Sequence, residues 1–265
     1  MIAVHAIPAF TDNYLWLLVR DREALVVDPG DAAPLQMFLA EHDLTLRAIL
    51  ITHWHPDHIG GLRTLERPDL PIYGPAAEAA RIPQLTHRLD DGDRVDALGL
   101  PFEVIAVPGH TLGQIAYYRA PDALTPDGLL FCGDSLFSAG CGRLFEGTPQ
   151  QMHDSLSRLA ALPPQTPVHC THEYTLANLA FAYAVESSNP DLQARVDEVK
   201  RLRAAGRPSL PSTIALERAT NPFLRADQPA VRAAAEAWAG VSLGNAVEVF
   251  AALRRWKDGF KGQLT

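Results

Sequence analysis

The sequence predicts an α/β fold followed by a smaller all-α segment, and three observations carry that prediction. Short apolar runs alternate with loops over the first two-thirds of the chain. After about residue 173 the pattern turns helical, with Pro-rich loops between the periodic stretches. Finally, metal-ligand residue types recur just after apolar runs, the edge at which open α/β sheets assemble their sites.

Taken in order, Tyr14 to Val19 and Ala24 to Asp28 read as strands joined by a turn at Asp21-Arg22. Pro34 to Glu41 reads as a helix, Ala48 to Thr52 as a buried strand, and Gly60 to Leu65 as a short helix. Strands follow at Phe102 to Val107, Gln114 to Arg119, Gly128 to Cys132 and Val168 to Thr171. Helices are expected at Leu176 to Val185, Asp191 to Ala205, Ala230 to Ala239 and Asn245 to Trp256, with no strand among them. A boundary near Tyr174 divides the chain into residues 1–173 and 174–265.

The 265 residues are 47% hydrophobic and 20% charged, an ordinary globular balance. No apolar run approaches the roughly 18 residues that cross a bilayer. The start, Ile2-Ala3-Val4-His5, lacks a basic n-region ahead of an apolar core, so a cytoplasmic protein is expected. Three cysteines without C-x-x-C spacing fit a reduced compartment. A net charge of -8 argues against a nucleic-acid partner, while the local cluster Arg254-Arg255-Trp256-Lys257 leaves room for a small anion.

The most informative segment is Thr52-His53-Trp54-His55-Pro56-Asp57-His58-Ile59-Gly60-Gly61. Imidazole and carboxylate are the donors that bind zinc, iron or manganese. His53 and His55, two apart in an extended segment, point the same way, while the adjacent Asp57 and His58 diverge toward a second ion. Pro56 is expected to keep the stretch a loop, and Gly60-Gly61 to allow a tight turn or a close backbone approach to the site. His110, Asp134 and His172 each follow an apolar run in the same manner. His169, three before His172 in a strand, should face away from it, and His5, His42, His87 and His153 have no companion ligand.

Seven ligands exceed one tetrahedral site. His53, His55 and His110 would hold one ion, Asp57, His58 and His172 a second, and Asp134 would bridge them with its two oxygens. Two divalent ions, zinc foremost with iron or manganese as alternatives, would acidify a shared water and polarise a carbonyl. Asp57 and Asp134 are the carboxylates expected to serve catalysis as well as coordination.

The pattern Thr-His-x-His-x-Asp-His, with downstream His110, Asp134 and His172, resembles the metallo-β-lactamase superfamily. Its fold, an αββα sandwich, is what the resemblance implies for residues 1–173. Within it the chain is most similar to the hydroxyacylglutathione hydrolase (glyoxalase II) family. That likeness rests on Phe131-Cys132-Gly133-Asp134-Ser135-Leu136-Phe137 through Ala139 to Thr148, on Thr171-His172-Glu173-Tyr174-Thr175, on Pro211-Ser212-Thr213-Ile214, and on Asn221-Pro222-Phe223-Leu224-Arg225. The resemblance implies hydrolysis of a small-molecule glutathione thioester, S-D-lactoylglutathione or a related 2-hydroxyacyl thioester. It also implies a helical C-terminal substrate domain and anchoring by Arg143, Phe145, Tyr174, Arg254 and Lys257. A monomer with no membrane and no nucleic-acid partner is expected. Phe145 stands where tyrosine is common, losing one hydrogen bond worth about 0.5–1.5 kcal/mol, and Arg143 where lysine is usual. The alternatives are an iron-dependent persulfide dioxygenase, against which the helical C-terminal segment argues, and a hydrolase of lactams or lactones. A metal-binding scaffold without turnover would be marked by missing ligands, and all seven positions are filled.

Overall fold

The computed structural model describes residues 2–264. Its first half runs β1 (Ala3–Ala9), β2 (Asn13–Arg20), β3 (Glu23–Val27), α1 (Ala32–Glu41), β4 (Thr45–Leu50), the helical turns α2 (Pro56–Ile59) and α3 (Leu62–Leu65), β5 (Ile72–Pro75) and β6 (His87–Leu89). These six strands form one sheet in sequence order. β1 to β3 are antiparallel, and β3 to β6 are parallel. Asp21, in the left-handed region at φ 56°, makes the turn between β2 and β3.

The second half runs β7 (Arg94–Ala97), β8 (Leu100–Ala106), β9 (Ile115–Arg119), β10 (Leu129–Gly133), the hairpin β11 (Leu136–Phe137) and β12 (Gly140–Cys141), α4 (Pro149–Ala160) and β13 (Pro167–Cys170). Then follow α5 (Thr175–Glu186), α6 (Pro190–Ala204), β14 (Ser212–Thr213), α7 (Ile214–Thr220), α8 (Pro229–Ala239) and α9 (Ala246–Gly259). The second six-stranded sheet has the order β14-β13-β10-β9-β8-β7.

β2 shows why two sheets pack here. Tyr14, Trp16 and Leu18 face the core between the sheets, while Leu15 and Leu17 face the outer layer with Leu35 of α1 and Leu62 and Leu65 of α3. A strand buried on both faces reads as the continuous apolar run seen in the sequence. From the second sheet Phe102, Val104, Tyr117 and Phe131 fill the central core, joined by Met152 and Leu156 of α4 and Val249 and Phe250 of α9. Helices therefore flank both sheets, and the molecule is an αββα sandwich with a helical C-terminal part.

Two expectations need correction. Residues after 173 do contain a strand: β14 pairs antiparallel with β13, Pro167 opposite Thr213 and Val168 opposite Ser212. Two residues are too short to leave a period-2 pattern, so nothing in the sequence marked it. Pro56 also does not keep its stretch a loop. It opens α2 at the first helical position, where a missing N–H costs nothing and the fixed φ suits a helix. Among the described residues no helix is long and apolar enough to cross a membrane.

Candidate metal centre

The strand directions bring the ligands to one edge. β8 is antiparallel to β9 and β9 to β10, so β8 and β10 run the same way, and β13 is parallel to β10. His110, Asp134 and His172, placed after β8, β10 and β13, thus leave the second sheet at a common edge. His53 and His55 follow β4 of the first sheet, and α2 carries Asp57 and His58. An isolated bridge between Asn13 and His172 joins the two sheets there.

All seven predicted ligands meet. The His53 Nε2 and His110 Nε2 atoms each lie 2.9 Å from His55 Nδ1. His172 Nε2 lies 3.4 Å from Asp57 Oδ2 and 3.3 Å from Asp134 Oδ2, and His58 Nε2 lies 3.4 Å from Asp134 Oδ1. Asp134 Oδ2 is also 3.5 Å from His110 Nε2, so this carboxylate faces both sets. His53, His55 and His110 form one group, Asp57, His58 and His172 another, and His53, His58 and Asp134 a third that overlaps both, each with donor atoms within 4.8 Å.

Their far sides are held by partners that sequence reasoning missed. Asp28 accepts from Thr52 N and from Thr52 Oγ1, both at 2.7 Å, and its Oδ2 lies 2.9 Å from His58 Nδ1. The Thr52 hydroxyl, its hydrogen given to Asp28, accepts from His53 Nδ1 at 3.1 Å. One buried carboxylate thereby orients two rings, one directly and one through a hydroxyl, and turns both Nε2 atoms inward. His172 Nδ1 meets Asp12 Oδ1 at 2.8 Å, His110 Nδ1 donates to the Arg143 carbonyl at 2.9 Å, and Asn13 Nδ2 donates to Asp57 at 3.1 Å. Buried Glu78 accepts from Trp54 N and Thr111 Oγ1 and so staples the His53–His55 loop to the His110 loop. Asp28 had a readable signal, since it follows an apolar run as the ligands do. Glu78, in a 3-10 turn remote in sequence, had none.

The electrostatics suit cations. Burial holds the His53 imidazole well below its usual pKa and lowers those of His55 and His110, leaving neutral rings with free lone pairs. Burial also acts to lower His58 and His172, but the Asp134 carboxylate, with Asp28 beside one and Asp57 and Asp12 beside the other, pushes them up to about 10 and about 11. Burial acts to raise Asp57 and Asp134, yet His172 and His58 hold both below the usual carboxylate range. His58 Nε2 and Asp134 Oδ1 are buried without a hydrogen-bond partner. The two orphaned atoms lie 3.4 Å apart, and divalent ions taking the place of the protons that the carboxylates hold on His58 and His172 would satisfy them.

A cleft of about 540 Å³ opens from His110 and Asp134 and is lined by all five predicted substrate residues. The Tyr174 ring stacks on His172 with centroids 4.6 Å apart, and Phe145 packs edge-on to His55 and His110. Arg143 is exposed, with Nε 3.9 Å from Asp258. Lys257 Nζ donates to the Ala177 carbonyl at 2.8 Å. Arg254 is buried, not part of a solvated face, and donates to the Cys141 carbonyl and to Asp258, both at 2.9 Å. His169 is buried against Trp16 and Phe131, away from the site.

A sandwich with a His/Asp cage at this edge defines a class, and residues 10–172 match the model of the metallo-beta-lactamase superfamily. Residues 173–260 match the model described as hydroxyacylglutathione hydrolase C-terminus. The hydroxyacylglutathione hydrolase of Ectopseudomonas mendocina (strain ymp) is 57% identical over 264 residues, spanning 98% of this chain and 100% of that one. The chain belongs to the hydroxyacylglutathione hydrolase family. Among solved structures, ETHE1 from Myxococcus xanthus superposes with a TM-score of 0.63 at 26% identity, over 98% of this chain and 90% of that one. TTHA1623, solved in a di-iron-bound form, gives 0.59 at 27%, over 83% and 100%.

Proposed function

We propose that the chain hydrolyses the thioester of an S-(2-hydroxyacyl)glutathione, releasing glutathione and a 2-hydroxy acid, with S-D-lactoylglutathione as the preferred substrate and D-lactate as the acid. The observation that carries this reading is one continuous cleft with a seven-donor cage at its head and three cations, Arg143, Arg254 and Lys257, along its wall. His53, His55 and His110 would hold one ion and Asp57, His58 and His172 the other, with the Asp134 carboxylate facing both sets. We assign zinc to them, although the same donors suit iron and manganese. Two ions so held would supply the Lewis acidity that activates water and polarises a carbonyl near neutral pH.

The protein's own groups do the rest. Asp57, the more exposed of the two carboxylates, is placed to orient the attacking water by accepting its hydrogen bond. Tyr174 and Phe145 wall the cleft beside the ligands and exclude bulk water from the thioester. Arg143, Arg254 and Lys257 meet the carboxylates of glutathione, an anion that the net charge of the whole chain would otherwise repel. The leaving thiol is acidic enough to depart as thiolate, so no general acid is required.

Functionally, residues 1–173 supply the catalytic part and residues 174–265 much of the substrate-binding wall. The buried, unpaired Cys132, Cys141 and Cys170 fit a reducing cytoplasm. The test is a thioester assay on S-D-lactoylglutathione with elemental analysis of the same sample. Protein carrying two metal ions that leaves the thioester intact sinks the reading.

A further inference from the structure

Among the residues lining the cleft, the acids are Asp134, which belongs to the cage, and Asp258, which does not. Asp258 lies among the proposed substrate cations. Its Oδ1 accepts from Arg254 Nη2 at 2.9 Å and is 3.9 Å from Arg143 Nε. A carboxylate in a wall meant for carboxylates needs a physical account.

Helix stability does not provide one. Asp258 sits in the last turn of α9, where the negative end of the macrodipole disfavours an acid. Its pairing with Arg254 is four residues apart in the weaker order, cation first. Nor does Arg254 depend on Asp258 for its place: its other arm donates to the Cys141 carbonyl at 2.9 Å, and its guanidinium lies over the Phe223 ring. The two partners also differ in freedom. The Arg254 side chain is 6% exposed and that of Asp258 46%, so the arginine is fixed and the carboxylate can swing into solvent. The buried Arg254 Nε has no partner, leaving a donor unused by the protein.

We propose that Asp258 is a resident competitor for the carboxylate of the ligand. In the free protein it occupies the cations that glutathione needs, and the ligand binds by displacing it. Asp258 thereby sets the affinity for glutathione and eases release of that product. The inference rests on the glutathione reading above and adds a specificity-determining residue to it.

The experiment compares the metal-loaded protein with its Asp258→Asn variant by titration calorimetry, using S-methylglutathione and its dimethyl ester, which carries no carboxylate. Asp258→Asn should bind S-methylglutathione about two- to fivefold more tightly, the scale of a half-exposed ion pair. Affinity for the ester should be the same in both proteins. Unchanged or weaker binding of S-methylglutathione by Asp258→Asn overturns the proposal, because Asp258 then serves only to orient Arg254. Equal tightening toward the ester overturns it as well, since charge is then not the cause. If the unsubstituted protein binds neither ligand, the glutathione reading itself falls. If it binds S-methylglutathione and the variant binds no better, only the role of Asp258 falls.

Discussion

Replacing Gly30 by alanine tests whether the cage depends on backbone-to-backbone packing. A Cβ built on Gly30 meets the Asp57 carbonyl oxygen at 1.7 Å and its carbon at 2.4 Å, against an ordinary contact of 3.4 Å or more. The obstacle is main chain, so no side chain can rotate away. One of the two segments must move by about 1.7 Å, the difference between the ordinary contact and 1.7 Å. If α2 moves, Asp57 and His58 leave the positions facing Asp134. If instead the loop after β3 moves, it carries Asp28 away from Thr52 and His58. A misplacement of about 1 Å can cost roughly 100-fold in rate, and about 0.5 Å is the tolerance for a working site. Gly30→Ala should therefore lose about 100-fold or more in kcat/KM, and bound metal should fall below two ions per chain, because either movement disturbs the Asp57/His58 set and a shift of Asp28 also loosens His53 through Thr52. Elemental analysis, initial rates and a thermal melt report these together. Gly92→Ala is the control: its Cβ meets nothing within 4 Å and only its φ of +83° is strained, so stability should drop while activity holds. Gly30→Ala with two ions and kcat/KM within about threefold of the parent would refute the reasoning.

Asp134→Ala should lose metal and activity together, and retention of two ions per chain removes Asp134 from the cage. Burial and the neighbouring Arg254 pull the Lys257 ammonium down to about 8, so the cation is present below that pH and lost above it. The pH profile of kcat/KM, which reports the free enzyme, should fall as pH rises through about 8. Lys257→Ala should raise KM more than it lowers kcat and abolish that descending limb, and a limb that persists excludes Lys257 as its source. Asn221→Ala removes donors to the Phe137 and Gly140 carbonyls and leaves them buried, which should cost about 1–3 kcal/mol in denaturant unfolding. An unchanged midpoint sets that role aside.

What could be read from the sequence was what leaves a local trace. The strand ahead of Asp134 is buried on both faces, that ahead of His172 nearly so, and those ahead of His53 and His110 close on consecutive buried apolar residues, Ala48 to Leu50 and Val104-Ile105, so their ends and the donors after them stand out. Partners of those donors come from distant chain positions with no shared spacing. Asp12 reaches His172 from the β1–β2 turn, and Glu78 spans two loops. Gly60 and Gly61 were visible as a close approach, but its object is the Pro29–Gly30 backbone, not the site itself. Arg254 illustrates the same limit: its charge and helical position are readable, whereas its burial against Cys141 depends on a fold contact across the chain.

That contact is one of a set that ties the helical part to the cage. The hairpin of β11 and β12 follows directly on Asp134 and leads to Arg143, so its shape fixes a cage ligand at one end and a cleft cation at the other. Its backbone is held by side chains from three helices. Asn221 and Glu217 of α7 and its cap bind Phe137 O, Gly140 O and Ala139 N, Asn178 of α5 binds Ser138 O, and Arg254 of α9 binds Cys141 O. Ala139 is held in the left-handed region at φ 54°, a conformation that an alanine adopts only when its surroundings impose it. The helical part is thus more than a substrate platform placed beside a finished site. Without its clamps the hairpin has two residues per strand and no means of its own to keep Asp134 and Arg143 in register.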